Sequence, residues 1–176
     1  MTNASAPAIR VGQSHVSPDV ERTHVLIALV EDRPGSIDRV VGTLRRRRAL
    51  LQSLTVVQSE TEGLVRVTAL VKDSEVDAAH LLEQLRKIVD VRQVQDVTDQ
   101  PTVVRELAVI KVSLAQASSK DVVEVGQQFG ANALESTADT VTLEAVGSQE
   151  RIEKLLQALQ PYGIQEVARS GGVAIA

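Results

Sequence analysis

The chain has 176 residues, 43% of them hydrophobic but only 1% aromatic, and a net charge of −4. An aliphatic core of Val, Leu, Ile and Ala follows, while aromatic cages, base-stacking platforms and general nucleic-acid binding are disfavoured. The absence of cysteine excludes disulfide scaffolds, thiol catalysis and cysteine-based zinc sites, and is compatible with a reduced cytoplasm.

Residues 1–19 are rich in Ala, Ser, Pro and Gly and lack an apolar secretory core, so residues 1–22 read as a disordered leader. No apolar run approaches the ~20 residues that span a bilayer. Residues 23–31 are almost continuously apolar and end at Asp32-Arg33-Pro34-Gly35, a turn signal, which predicts a strand buried on both faces. Ser36 opens a helix with Ile37, Val40, Val41 and Leu44 on one stripe, and the helix runs out in Arg45, Arg46, Arg47 and Arg48. Strands are expected over 51–59 and 64–71, joined by a turn at Glu60-Thr61-Glu62-Gly63. Ser74 caps a second helix, whose stripe is Ala78, Leu81, Leu82, Leu85, Ile88 and Val89. Residues 91–97 form a fourth strand. The order βαββαβ is that of two split β-α-β units, with both helices on one face of the sheet.

Residues 99–103 read as a linker, and the order then repeats over 104–176. A strand spans 106–114. Ser118 and Asp121 resemble a capping box, with Val122, Val125 and Phe129 on one face of the helix that follows. A hairpin joins 134–137 to 140–146, with Val141, Leu143 and Ala145 facing one way. Ser148 caps a helix carrying Ile152, Leu155, Leu156 and Leu159, Pro161 ends it, and 164–167 is the last strand. The expected class is α+β, two tandem ferredoxin-like βαββαβ domains over 23–98 and 104–176. Helices cover only one face of such a sheet, yet the first strand is apolar on both. A second copy or a partner subunit is therefore the expected cover for the other face.

Catalytic chemistry finds little support. No Gly-x-Ser-x-Gly is present, and His15, His24 and His80 have no metal-ligand spacing, so all three are expected to be structural or solvated. The carboxylate pairs Glu60-Glu62 and Asp73-Glu75 sit in turns and at helix starts, where the backbone favours acids. The arginine run of 45–48 has three readings: a nucleic-acid contact, a docking patch for an acidic partner, or a solvated helix end whose cations offset the dipole. The loop Asp32-Arg33-Pro34-Gly35-Ser36 is the main functional candidate. A helix N-terminus offers N–H groups to a carboxylate, Asp32 or Glu31 answers an ammonium group, and Gly35 allows close approach. An ordinary strand-to-helix turn is the other reading of the same residues.

Glu31-Asp32-Arg33-Pro34-Gly35-Ser36-Ile37-Asp38-Arg39-Val40, followed by Gln52-Ser53-Leu54-Thr55-Val56, resembles the ACT domain of the acetolactate synthase small subunit. Val104-Arg105-Glu106-Leu107-Ala108-Val109-Ile110-Lys111-Val112 resembles the start of that family's C-terminal domain, and Glu166-Val167-Ala168-Arg169-Ser170-Gly171 its closing motif. The resemblance implies a subunit without an active site. Such a subunit activates a large catalytic subunit carrying thiamine diphosphate, FAD and magnesium, and confers feedback inhibition by valine or a related branched-chain amino acid. It also implies a homodimer with the effector between two ACT domains. Carried over, Asp32, Gly35 and Ser36 lie on one side of that effector, and Leu50 and Leu51 on the other. The family pattern Arg-Gly-x-Asn-Ile reads here Arg47-Arg48-Ala49-Leu50-Leu51. Arg48 replaces a Gly, at roughly 1 kcal/mol in a left-handed cap. Leu50 replaces an Asn that holds the amino acid, and a polar group left unpaired there loses about 1–3 kcal/mol. Other readings are a free-standing tandem ACT protein that binds a small ligand, and an activator of a different thiamine-diphosphate enzyme.

Overall fold

The computed structural model describes residues 21–46 and 50–176. The leader therefore lies almost entirely outside the described residues, as do Arg47, Arg48 and Ala49. Continuous apolar character makes β1 (Arg22–Glu31) the central strand of the first sheet, flanked by β3 (Leu64–Asp73) and β4 (Val91–Asp96). Among the described residues the edge strand β2 (Leu50–Gln58) pairs only with β3, giving the order β2-β3-β1-β4, antiparallel throughout. Helices α1 (Ser36–Arg46) and α2 (Glu75–Arg86) pack on one face. Alternation along β1 sends Leu26, Ala28 and Val30 into that core with Val40, Leu44, Leu81 and Leu85.

The second repeat builds the same pattern. The long strand β5 (Val103–Ser113) is central, and the order is β6 (Asn132–Ser136), β7 (Thr140–Gly147), β5, β8 (Ile164–Arg169). Helices α3 (Ser119–Gln128) and α4 (Gln149–Leu159) cover one face over a core that includes Ile110, Val122, Leu143, Ile152 and Leu155. The expected caps form. Ser74, Ser118 and Ser148 each accept a backbone N–H three residues on, and Ser118 with Asp121 closes a full capping box. Leu159 ends α4, and Pro161 sits in the single 3-10 turn Gln160–Tyr162 that follows.

Two expectations are corrected. Val89 does not lie on the α2 stripe. The helix stops at Arg86, the cap at Lys87 breaks the period, and Val89 is 82% exposed in the turn before β4. The open face of the first sheet also does not wait for another molecule along its whole width. Much of it is covered by the chain itself, through a strand the sequence pattern does not announce, β9 (Val173–Ile175). This strand pairs with the first three residues of β5, and the resulting ribbon lies on the first sheet. Ile27, Val97 and Ala174 are buried together there, with Val25 and Val104 packed against them. Thr55 Oγ1 donates to the Gly172 carbonyl at 2.6 Å, and an Arg66 guanidinium nitrogen donates to the Ala174 carbonyl at 3.0 Å. A Cβ at Gly172 would stand 2.9 Å from Leu70 Cδ1, so glycine is what lets the backbone come this close.

Candidate functional site

The β1–α1 loop is pinned on both sides. Asp32 N–H donates to the Gly63 carbonyl and Glu31 N–H to the Asp90 carbonyl, each at 2.9 Å. Gly35 takes a left-handed φ of +82°, and a Cβ there would meet the Arg39 guanidinium at 3.3 Å. Glu31 is buried, and its two carboxylate oxygens are held by Arg33 and Arg92. It is thus committed to two guanidinium groups, and of the two acids only Asp32 is exposed. Arg39 donates through Nε at 2.7 Å to the buried Asp90, which ties the first turn of α1 to the start of β4. Ser36 is fully buried. Its N–H donates to the Arg33 carbonyl at 3.1 Å, and its hydroxyl has no hydrogen-bond partner among the described residues.

The other half of the candidate site lies elsewhere. Leu50 opens β2 and is 62% exposed, while Leu51 turns inward and packs against the first core. Register sets Leu50 level with Lys72 and so with Thr23, whereas Asp32 follows Glu31 at the far end of β1. At about 3.4 Å per residue the two halves stand roughly 30 Å apart along the sheet. The structure does not bring them together within one chain. Of the arginine run, Arg45 is exposed at the end of α1, and Arg47 and Arg48 lie outside the described residues.

His24 takes the structural role expected of it, and one polar pair, Glu106 with Arg169, escaped the sequence reading. His24 is completely buried, with Nδ1 2.9 Å from Asp96 Oδ2 and Nε2 without a hydrogen-bond partner among the described residues. His80 is exposed on α2, as its position on the polar side of the helix predicts. Glu106 is 7% exposed and bonded to Arg169 of β8. These two lie 63 residues apart, and the only sequence signal was an acid on the side of β5 that otherwise carries Ala108, Ile110 and Val112. Among the described residues no group of three His, Cys, Asp or Glu is placed to hold a metal ion. No helix among them is long and apolar enough to cross a membrane.

Comparison with known proteins agrees across both repeats. Residues 26–93 match the AHAS small subunit-like ACT domain, and residues 105–176 match the family described as the small subunit of acetolactate synthase. The chain is 39% identical over 149 residues to acetolactate synthase small subunit 1, chloroplastic, of Nicotiana plumbaginifolia, covering 85% of this chain but only 33% of that protein. It thus spans about a third of the length of that plant relative. The acetolactate synthase small subunit of Mycobacterium bovis is 36% identical over 154 residues, covering 88% of this chain and 92% of that one. The crystal structure of the acetolactate synthase small subunit from Thermotoga maritima superposes with a TM-score of 0.79 at 28% identity, covering 88% of this chain and 96% of the other. Two family matches in order, and a bacterial relative covered almost end to end, place this chain in the acetolactate synthase small-subunit family.

Proposed function

We propose that the chain is the regulatory, non-catalytic subunit of acetolactate synthase in branched-chain amino-acid synthesis, working in the cytoplasm on a large catalytic subunit. The observation that carries this reading is the extent of the match. Both repeats are shared with a mycobacterial protein that is itself a small subunit, and 92% of that protein is covered. Thiamine diphosphate, FAD and magnesium belong, on this reading, to the large subunit. When mixed with its cognate large subunit, the chain should raise acetolactate formation from pyruvate, and alone it should show no turnover. If every thiamine-dependent synthase of the source organism ignores it, the subunit reading fails and a free-standing amino-acid sensor takes its place.

The geometry of the loop and of β2 supports a homodimer as the working unit. The outer edge of β2 has no strand beside it among the described residues, and Leu50 and Val57 are exposed along it. Antiparallel pairing of two β2 edges about a two-fold axis would set the start of one β2 against the end of the other. That end lies beside the β1–α1 loop, since Glu31 pairs with Leu64 and Ser59 N–H donates to the Leu64 carbonyl. Halves that stand roughly 30 Å apart in one chain then meet across the axis. Asp32 and the backbone at Gly35 come from one copy, and Leu50 and the backbone of Leu51 from the other. Ser36 serves by fixing the turn. Sedimentation of the isolated protein should show at least a dimer, and a clean monomer at micromolar concentration would overturn this assembly.

A further inference from the structure

A cleft of about 320 Å³ separates the two repeats, within the range of roughly 300–1,000 Å³ of small-molecule sites. It lies on the side of β2 away from the β1–α1 loop. The first repeat contributes Ser53, Leu54 and Leu70, and the second contributes Glu106, Arg169 and Ser170. Glu106 occupies the inward side of β5, in line with the core residues Ala108, Ile110 and Val112, where an unpaired carboxylate is heavily penalised. Its one hydrogen-bond partner among the described residues is Arg169, through a single guanidinium nitrogen to Oε1. The second carboxylate oxygen and the other guanidinium nitrogens hydrogen-bond to no described residue, so both charges keep capacity toward the cleft.

We propose that this cleft is a second small-molecule site, separate from the β1–α1 loop, and that it takes a free aliphatic α-amino acid. Two opposite charges side by side select the ligand. A simple anion is repelled by Glu106 and a simple cation by Arg169, whereas a zwitterion sets its ammonium on Glu106 and its carboxylate on Arg169. Leu70 supplies the apolar contact for a short aliphatic side chain, while Leu54 lines the cleft with its side chain turned into the first core. The volume suits a molecule of that size and not a nucleotide. The cleft closes through the segment that crosses the first sheet, where Gly172 N–H donates to Ser53 Oγ at 3.3 Å. A ligand here therefore touches both repeats at once.

The test is a titration of the full chain with valine, leucine and isoleucine, followed by backbone amide shifts and by heat. It is run on the unmodified chain, on Asp32→Ala and on the double variant Glu106→Gln/Arg169→Gln. Shifts should concentrate at Ser53 and at residues 169–171, survive in Asp32→Ala, and weaken roughly tenfold or more in the double variant. Acetate and isobutylamine, each carrying one charge, should not saturate the same signals. The proposal is overturned if shifts gather only around residues 32–36 or vanish in Asp32→Ala. No saturable binding in the millimolar range, or equal binding of isobutylamine and valine, overturns it as well. Saturable cleft shifts with no response of residues 32–36 at any ligand concentration in the unmodified chain would count against effector binding at the loop alone, so the two readings fail separately. Shifts in the unmodified chain locate the ligand even if the double variant does not fold.

Discussion

Removal of residues 170–176 is expected to lower stability by about 4 kcal/mol and the melting temperature by roughly 8–16 °C. The figure follows from the surface uncovered. Ile27, Leu70 and Val97 are 3%, 5% and 0% exposed, and Ile27 and Val97 share a cluster with Ala174. Each such side chain contributes about 1.5–3 kcal/mol when fully buried, and truncation exposes each in part. For a chain of about 150–250 residues, 1 kcal/mol moves the midpoint by roughly 2–4 °C. The hydrogen bonds from Thr55 and Arg66 to the Gly172 and Ala174 carbonyls are lost as well, though water replaces most of their value. Gly172→Val should act in the same direction with a smaller loss, because its side chain collides with Leu70. Calorimetry of the two variants beside the parent checks this. A fall below roughly 2 °C on truncation would mean that the closing segment adds little to the first core.

The second large effect concerns feedback in the reconstituted enzyme. A bound valine must satisfy both its carboxylate and its ammonium group. Asp32 is free to answer the ammonium group, while Glu31 is held by Arg33 and Arg92. Across the proposed dimer axis the facing side chain is Leu50, which forms no hydrogen bond. Losing one such contact weakens binding by about 1–3 kcal/mol, or roughly tenfold to hundredfold. Valine inhibition is therefore expected to be weak or absent while activation is retained. Leu50→Asn should restore sensitivity by the same factor, and Arg48→Gly in the same chain should add to it. Titration of valine, leucine and isoleucine against acetolactate formation decides. Strong inhibition of the unmodified complex at micromolar valine would sink the idea.

The elements were legible where the determinants are local. The unbroken apolar run of β1, the serine caps at 74, 118 and 148, and the alternation of Val141, Leu143 and Ala145 each act within a few residues. Each appears in the structure where the pattern sets it. The cover of the first sheet was not legible. Three residues of β9 are too few to show a period, and their partner strand begins 70 positions earlier: Val103, Val104 and Arg105 pair with Ile175, Ala174 and Val173 in a register that no local pattern encodes. The loop was found from its Pro-Gly turn and its acids. Which acid faces outward depended on Arg92, which belongs to a different strand. Glu106 and Arg169 were each visible as charges, but their meeting is a product of strand order alone.

The bond from Thr55 to Gly172 spans 117 residues of chain. On a ribosome that adds about 5–20 residues each second, roughly 6–25 s pass between the synthesis of the two ends. The first repeat has all its own strands and helices by then, but not its lid. During that interval Ile27 and Leu70 present an apolar sheet face to the cell, beside the open edge of β2. Half-made chains of this protein should therefore be its most aggregation-prone form, and a holding chaperone would find its surface on the first repeat rather than on the second.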